Sequence, residues 1–314
     1  MNETITCPST AFRAMGCQIE LWLEADEETA VAAFTAVEKL FVENERILSR
    51  FSPTSELSQL NGRSGQWVVV SDLLWNVLEE ALVWAAATDG LFDPTCLNAL
   101  EAAGYAVSFD MMSAQRNGRA QTSHLLTGQW SSIRLDDARQ AVYLPSGLRI
   151  DLGGIAKGYT AQQAVEVLSP WGPCLVNAGG DLVAGAAPAG LPGWPVGVAT
   201  PSAMAHGAAN ALSLWLVNAA VATSGIDYRR WLVNGRAAHH LIDPRTGLPA
   251  NTDLLTATVW AAQATEAEVR ATTSLIMGAQ ESLDFLESQP HLAAALFSAD
   301  GRLHLTSAIH NLSI

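Results

Sequence analysis

Asp300-Gly301 separates two apolar runs, 293–298 and 302–306, and no other dipeptide in the chain limits the fold as strongly. Glycine in such a short loop supplies the positive φ that a tight hairpin needs, so the flanking runs must pair as antiparallel neighbours. That argues against a purely parallel, doubly wound sheet. Helical and strand periodicities elsewhere are mixed without strict alternation. The sequence therefore predicts an α+β fold, a largely antiparallel sheet packed with helices, in a single domain over 1–314 built as one or two lobes.

Residues 18–24 alternate, with Ile19, Leu21 and Leu23 on one side of a strand. From Asp26, acidic residues precede Val31, Phe34, Val37, Phe41 and Leu48 at helical spacing, which predicts a helix reaching Arg50. Residues 67–70 read as a short strand, after which Ser71 caps a helix through Ala87 that Gly90 ends. Further strands are expected at 148–152, 174–177, 212–217 and 255–260, and helices at 159–168 and 266–277. Residues 101–148 are the least legible.

Composition bears on partners. With 17 Lys+Arg against 31 Asp+Glu the net charge is −14, and no basic cluster offers the phosphate neutralisation that nucleic-acid binding requires. Nucleic acid is excluded as an expected partner; a phosphate-bearing small molecule needs a metal ion or backbone amides to offset the like charge. Cys7, Cys17, Cys96 and Cys174 form no C-x-x-C pair, and burial as small hydrophobes is expected for Cys96 and Cys174. No apolar run approaches the roughly 20 residues of a membrane span. The start of the chain resembles neither a signal peptide nor a lipoprotein leader, so the expected location is the cytoplasm.

Asp151-Leu152-Gly153-Gly154-Ile155-Ala156-Lys157-Gly158 leads from an apparent strand into a helix. The glycines let an anion approach the backbone, the helix start presents its positive end, and Lys157 adds a mobile charge. The spacing is neither a Walker loop nor G-x-G-x-x-G, and an ordinary glycine-rich turn accounts for it equally well. Asn177-Ala178-Gly179-Gly180-Asp181 allows the same two readings, tight turn or ligand-facing loop. Glu268 and Thr272 share one helix face and suit a hard cation such as Mg²⁺, although an acidic residue near a helix start needs no metal to explain it. His239 and His240 end an extended segment before the Asp243-Pro244 turn, placed either as a general base or as structural histidines. From Ser49 to Asn61 polar side chains crowd around Phe51, which fits a pocket for a planar ring or a plain connection between helices. Gly90-Leu91-Phe92-Asp93-Pro94-Thr95 and Ala222-Thr223-Ser224-Gly225 read as further turns.

Taken in order, these segments resemble the ApbE family, the FAD:protein FMN transferases. The resemblance runs through Met15-Gly16, Ser55-Glu56-Leu57-Ser58 with Asn61, Phe92-Asp93-Pro94-Thr95, DLGGIAKG at 151–158, the 177–181 loop, Thr223-Ser224-Gly225, HLIDPRTG at 240–247 and the Glu268/Thr272 helix. It spans roughly residues 12–280 and is poor over 101–148. It implies a T-fold-like architecture with FAD in a cleft between lobes. It also implies Mg²⁺ ligated by the Ala156 carbonyl, Glu268 and Thr272. FAD contacts are implied at Met15, Phe51, Ser55, Glu56, Asn61, Asp93, Gly153, Gly154, Lys157, Asn177, Gly179, Asp181, Ser224 and His240. Glu268 stands where the family usually has aspartate, and Phe51 where tyrosine is common.

The resemblance implies a reaction too: FAD is the substrate, a Thr or Ser hydroxyl of an acceptor protein attacks the phosphorus on the FMN side, and AMP leaves. Lys157 and Mg²⁺ are expected to stabilise charge, with His240 the candidate base and Asp243 its orienting partner. Three alternatives stay open at this point: an FAD pyrophosphatase, a catalytically impaired FAD-binding protein, and a protein without any cofactor.

Overall fold

The computed structural model describes residues 7–112, 127–201, 210–227, 230–233 and 236–312. Eight strands form one sheet whose spatial order is also the chain order: β1 (Ser9–Ala14), β2 (Cys17–Leu23), β3 (Cys174–Ala178), β4 (Asp181–Ala184), β5 (Ala219–Gly225), β6 (Leu254–Ala261), β7 (Ala293–Ser298) and β8 (Leu303–Leu305). Every adjacent pair is antiparallel, as the Asp300-Gly301 hairpin requires. Met15-Gly16 joins β1 to β2 and Gly179-Gly180 joins β3 to β4, with φ of 51°, 69°, 67° and 104° in turn. Positive φ at both central residues matches the right-handed twist of the flanking strands. The other connections carry the helices and the smaller sheets.

Four longer helices matter for the site: α1 (Glu27–Leu48), α2 (Asp72–Ala87), α3 (Ala156–Leu168) and α4 (Ala264–Met277). Helices α1, α3 and α4 cover one face of the sheet, where Val37, Phe41, Ala161, Ala164, Ala267 and Leu275 bury Ile19, Leu21, Val176, Ala257 and Val259. A hairpin, Trp194–Ala199 with Asn210–Leu216, covers the other face through Trp194, Val196, Leu214 and Leu216. Covered on both sides, β6 is buried at every position, which is why it shows no polar face and only Thr256 and Thr258 interrupt its apolar residues. Between α1 and α3 the chain builds a second packing centre from Leu57, Leu60, Leu74, Leu78, Val142, Leu144 and Ile150, beside a three-stranded sheet.

The expected cap at Ser71 is present, with two more at Asp26 and Ser55. Asp26, Ser55 and Ser71 each accept a backbone N–H three residues on, at 3.0, 3.0 and 3.4 Å. Three expectations need correction. Residues 148–152 are not a strand; the Asn61 amide takes both the N–H and the carbonyl of Ile150, at 2.8 and 2.9 Å, and stands in for a neighbouring strand. Ala222 to Gly225 is not a turn but the end of β5, where Thr223 and Thr258 share a hydrogen bond of 2.9 Å across strands. Val31 lies on the solvent side of α1, 56% exposed. Helices α3 and α4 begin earlier than the periodicity indicates, at Ala156 and Ala264. Residues 1–6 and 113–126, within the termini and the least legible stretch, lie outside the described residues. No described helix is long and apolar enough to cross a membrane.

Candidate active site

The glycine turn is shaped by what cannot fit there. The Ile155 and Ala156 N–H groups both return to the Leu152 carbonyl, at 3.1 and 2.9 Å, and tighten the chain into the start of α3. A Cβ at Gly153 would stand 2.9 Å from Asp151 Oδ1, and one at Gly154 3.2 Å from the Phe92 ring. Gly158 then faces α4: a Cβ there would meet Glu268 Oε2 at 2.9 Å and the Ala264 carbonyl at 3.0 Å. Without that atom, α4 comes close enough for Glu268 Oε2 to accept the Gly158 N–H at 2.9 Å.

Lys157 sits at the centre of this approach. Its ammonium contacts Glu268 Oε1 and lies 3.2 Å from Asp181 Oδ2. Asp181 Oδ1 in turn accepts the Thr223 N–H at 3.1 Å, and the Ser224 hydroxyl lies 3.0 Å from that of Thr272. The starts of α3 and β4, the end of β5 and one face of α4 therefore converge, bringing Ala156, Lys157, Asp181, Ser224, Glu268 and Thr272 together. Glu268 and Thr272 share a face, as their spacing predicts. Lys157 is not the mobile charge expected from the sequence; two carboxylates hold it.

Electrostatics follow from that packing. Burial disfavours the Lys157 ammonium, but Glu268 and then Asp181 outweigh it and keep it protonated far above the ordinary lysine range. Burial, with Asp181, pushes the Glu268 carboxyl up against the opposing pull of Lys157 and the Gly158 N–H. With both carboxylates ionised, the knot carries one more negative than positive charge, so a phosphate approaching it needs a further cation.

Glu268, Thr272 and the Ala156 carbonyl contribute oxygen donors to that knot. The Ala156 carbonyl also accepts the Thr160 hydroxyl at 2.8 Å, and Thr160 is fixed by Asn44 of α1 at 3.0 Å. Among the described residues no cluster of three or more His, Cys, Asp or Glu is placed to hold a metal. A cation here would rely on one carboxylate, a hydroxyl and a carbonyl, a hard donor set that suits Mg²⁺ and leaves room for phosphate oxygens. The fit carries one condition, that Glu268 is shared with Lys157.

A second group lies on the other side of the glycine turn. Arg50, its side chain 5% exposed, pairs with Asp151. Its guanidinium carbon stands 4.0 Å from the Phe51 ring centre and 4.7 Å from that of Tyr105. Tyr105 stacks on Trp231 at 5.4 Å and meets His240 edge-on at 6.3 Å. Phe51 is 41% exposed and presents a ring to solvent. The sequence reading overlooked Arg50, Tyr105 and Trp231. Arg50 was visible as the neighbour of Phe51, whereas Tyr105 and Trp231 join through contacts distant in the chain, including a 2.7 Å hydrogen bond from the Trp231 indole to the Ala103 carbonyl.

Several candidate residues are occupied with holding the scaffold. Both Glu56 oxygens are taken by Ser71, through its N–H and hydroxyl at 2.6 Å each, and Ser55 is a fully buried cap. Asp93 accepts from Thr95 and from the Gly128 N–H, the latter at 2.6 Å. Asn177 donates to Glu20 at 2.8 Å and accepts the Gly180 N–H at 2.9 Å, and Gly179 packs on Cys17 in the tight turn. Met15, at positive φ, packs against both large cores. Asp243, expected to orient His240, receives three hydrogen bonds of 2.9 Å each from Arg245. Burial works against ionisation of Asp243, but those bonds hold its carboxyl below the usual range.

The scaffold is an ApbE-type fold. It superposes on the ApbE protein of Thermotoga maritima with a TM-score of 0.83 over 98% of this chain and 100% of that one, at 24% identity. The apo flavinyl transferase ApbE of Pseudomonas stutzeri matches with a TM-score of 0.79 over 98% and 97%, at 21% identity. In sequence, the FAD:protein FMN transferase of Treponema pallidum is 29% identical over 312 residues, 93% of this chain and 84% of that protein. A protein of the same name from Chlamydia trachomatis is 28% identical over 274 residues, 82% and 80%. The sequence model of the ApbE family matches residues 15–297, and the chain belongs to that family.

Proposed function

We propose that this chain is a flavin transferase that takes FAD and moves its FMN half onto a Thr or Ser hydroxyl of an acceptor protein, releasing AMP. The observation that carries the reading is the meeting of Lys157, Asp181, Glu268 and Thr272 beside the glycine turn at the start of α3. The FAD:protein FMN transferases among its relatives supply the substrate class. Glu268, Thr272 and the Ala156 carbonyl would hold a magnesium ion, which when bound neutralises charge on the pyrophosphate.

The remaining work falls to the chain's own residues. Lys157, pinned between Glu268 and Asp181, fixes the geometry of the charged end. Phe51 offers a flat face to one ring of FAD. The acceptor oxygen bonds to the phosphorus on the FMN side, the bond from that phosphorus to the bridging oxygen breaks, and AMP carries that oxygen away. His240 takes the hydroxyl proton. Such a transfer depends on positioning and charge neutralisation more than on covalent help.

The test mixes the protein with FAD, Mg²⁺ and an acceptor bearing an exposed Thr. Mass spectrometry should find an FMN-sized adduct on the acceptor and stoichiometric AMP. AMP with no adduct would mean that water is the acceptor and the protein a pyrophosphatase; neither product would end the proposal.

A further inference from the structure

Glu268, the one carboxylate among the expected magnesium donors, already has a cation. Its Oε1 is in contact with the Lys157 ammonium, while its Oε2 accepts the Gly158 N–H at 2.9 Å. The two oxygens are held differently. Gly158 lies in the first turn of α3, where N–H groups find no carbonyl within the helix, so Oε2 closes the helix end on fixed backbone. Oε1 meets only a side-chain ammonium on a flexible four-carbon stem.

That ammonium has a second carboxylate within reach. Asp181 Oδ2 lies 3.2 Å from it, and Asp181 is 7% exposed. The Thr223 N–H holds Asp181 Oδ1 at 3.1 Å, which keeps Oδ2 turned toward Lys157. A divalent cation that took Glu268 as a ligand would repel an ammonium resting on the same oxygen, and burial makes that repulsion stronger than in water. Withdrawing onto Asp181 relieves it and leaves neither Lys157 nor Asp181 unpaired. We propose that Lys157 is the resident counter-ion of Glu268 and that a divalent cation binds by exchange, taking Oε1 as the ammonium withdraws onto Asp181. Asp181 is then a positioning residue that acts on the metal through Lys157. The inference rests on the magnesium reading above.

The test titrates Mg²⁺ without FAD, by calorimetry, into the unaltered protein, Lys157→Met, Asp181→Asn and the double variant, each checked for a native melting profile. Lys157→Met should bind Mg²⁺ about tenfold more tightly, because no ammonium contests Oε1. Asp181→Asn should bind it about tenfold more weakly, because the ammonium stays on Glu268. In the Lys157→Met background, with no ammonium to receive, Asp181→Asn should change the affinity by less than about threefold. Equal losses in the two backgrounds would mean that Asp181 acts by its charge alone, and would overturn its role. Unchanged affinity in Lys157→Met would overturn the exchange while leaving the magnesium site standing. Binding by neither the unaltered protein nor Lys157→Met would end the magnesium reading itself.

A second measurement uses the unaltered protein and decides the matter even if Lys157→Met does not fold. The lysines of the chain are Lys39, which is exposed, and Lys157, so ¹⁵N-lysine labelling gives one ammonium to follow and one reference. Saturating Mg²⁺ should shift the Lys157 signal and leave that of Lys39 in place. The Gly158 N–H should stay protected from hydrogen exchange, since Oε2 is not released. A Lys157 signal that does not move while Mg²⁺ is bound would refute the exchange.

Discussion

Glu268 of α4 reaches Lys157 of α3, and Asp181 meets the same ammonium from the start of β4 at 3.2 Å. A buried ion pair is weak evidence of net stabilisation, but deleting one partner leaves the other charge uncompensated. Lys157→Met should therefore destabilise the fold by about 3 kcal/mol. Its side chain, 18% exposed, keeps that cost at the low end of the range. Adding Glu268→Gln removes one stranded carboxylate and should recover much of the loss. Denaturant titration of the four proteins in the cycle measures the coupling, and additive losses would show that the groups act independently.

The close approach of α3 to α4 depends on a missing atom. Gly158→Ala would set a Cβ 3.0 Å from the Ala264 carbonyl, which is backbone and cannot rotate away, and 2.9 Å from Glu268 Oε2. The helices must separate, at a cost of roughly 1–3 kcal/mol. Gly62→Ala is the contrast, since its Cβ meets only ordinary contacts at 3.4 and 3.6 Å in a right-handed conformation. That change should leave stability within about 0.5 kcal/mol. Thermal melts of the two variants distinguish them, and equal melting temperatures would mean that Gly158 does not set the helix spacing.

The sheet and long helices were legible because burial imposes a period. Ile19, Leu21 and Leu23 alternate since one face of β2 packs on α1, and the Asp300-Gly301 loop declares its hairpin locally. Polar strands were not legible. Thr223, Ser224 and Gly225 have the composition of a turn, and only their pairing with β6 across 30-odd residues makes them a strand. The convergence of Lys157, Asp181 and Glu268 is likewise a property of the fold, because 24 residues separate the first two and 87 the last two. Ordered resemblance pointed to these residues; periodicity alone did not. Asp243 has a partner that its motif did not announce: Arg245, two residues on, closes a bidentate pair with it.

Thr272 connects the metal proposal to a measurable contact. Its hydroxyl lies 3.0 Å from that of Ser224. Thr272→Val keeps the shape but removes the oxygen, which should cost about 1 kcal/mol of stability. A lost ligand should also weaken Mg²⁺ binding by roughly tenfold or more. Thr272→Ser, which keeps the oxygen, should retain both properties. Calorimetric titration with Mg²⁺ in the absence of FAD is the check, and a valine variant that bound the ion as tightly as the parent would remove Thr272 from the ligand set.

His239 gives the fold an acid limit independent of FAD. It is buried, and its Nε2 lies 3.1 Å from the Ala250 carbonyl. Burial, aided by Arg230, holds its pKa below the ordinary 6.5 against the opposing effect of that carbonyl. As pH falls through 6.5 the unfolded chain therefore takes up this proton before the native protein does. The stability associated with neutral His239 is complete above that pH and is lost on acidification toward the depressed native value. The slope this one group adds cannot exceed about 1.4 kcal/mol per pH unit. Replacing His239 with Gln, which keeps a donor for Ala250 and does not titrate, should flatten the stability profile in the interval below pH 6.5. Denaturation midpoints of the two proteins across that interval decide the matter, and parallel profiles would show that His239 is not the group responsible.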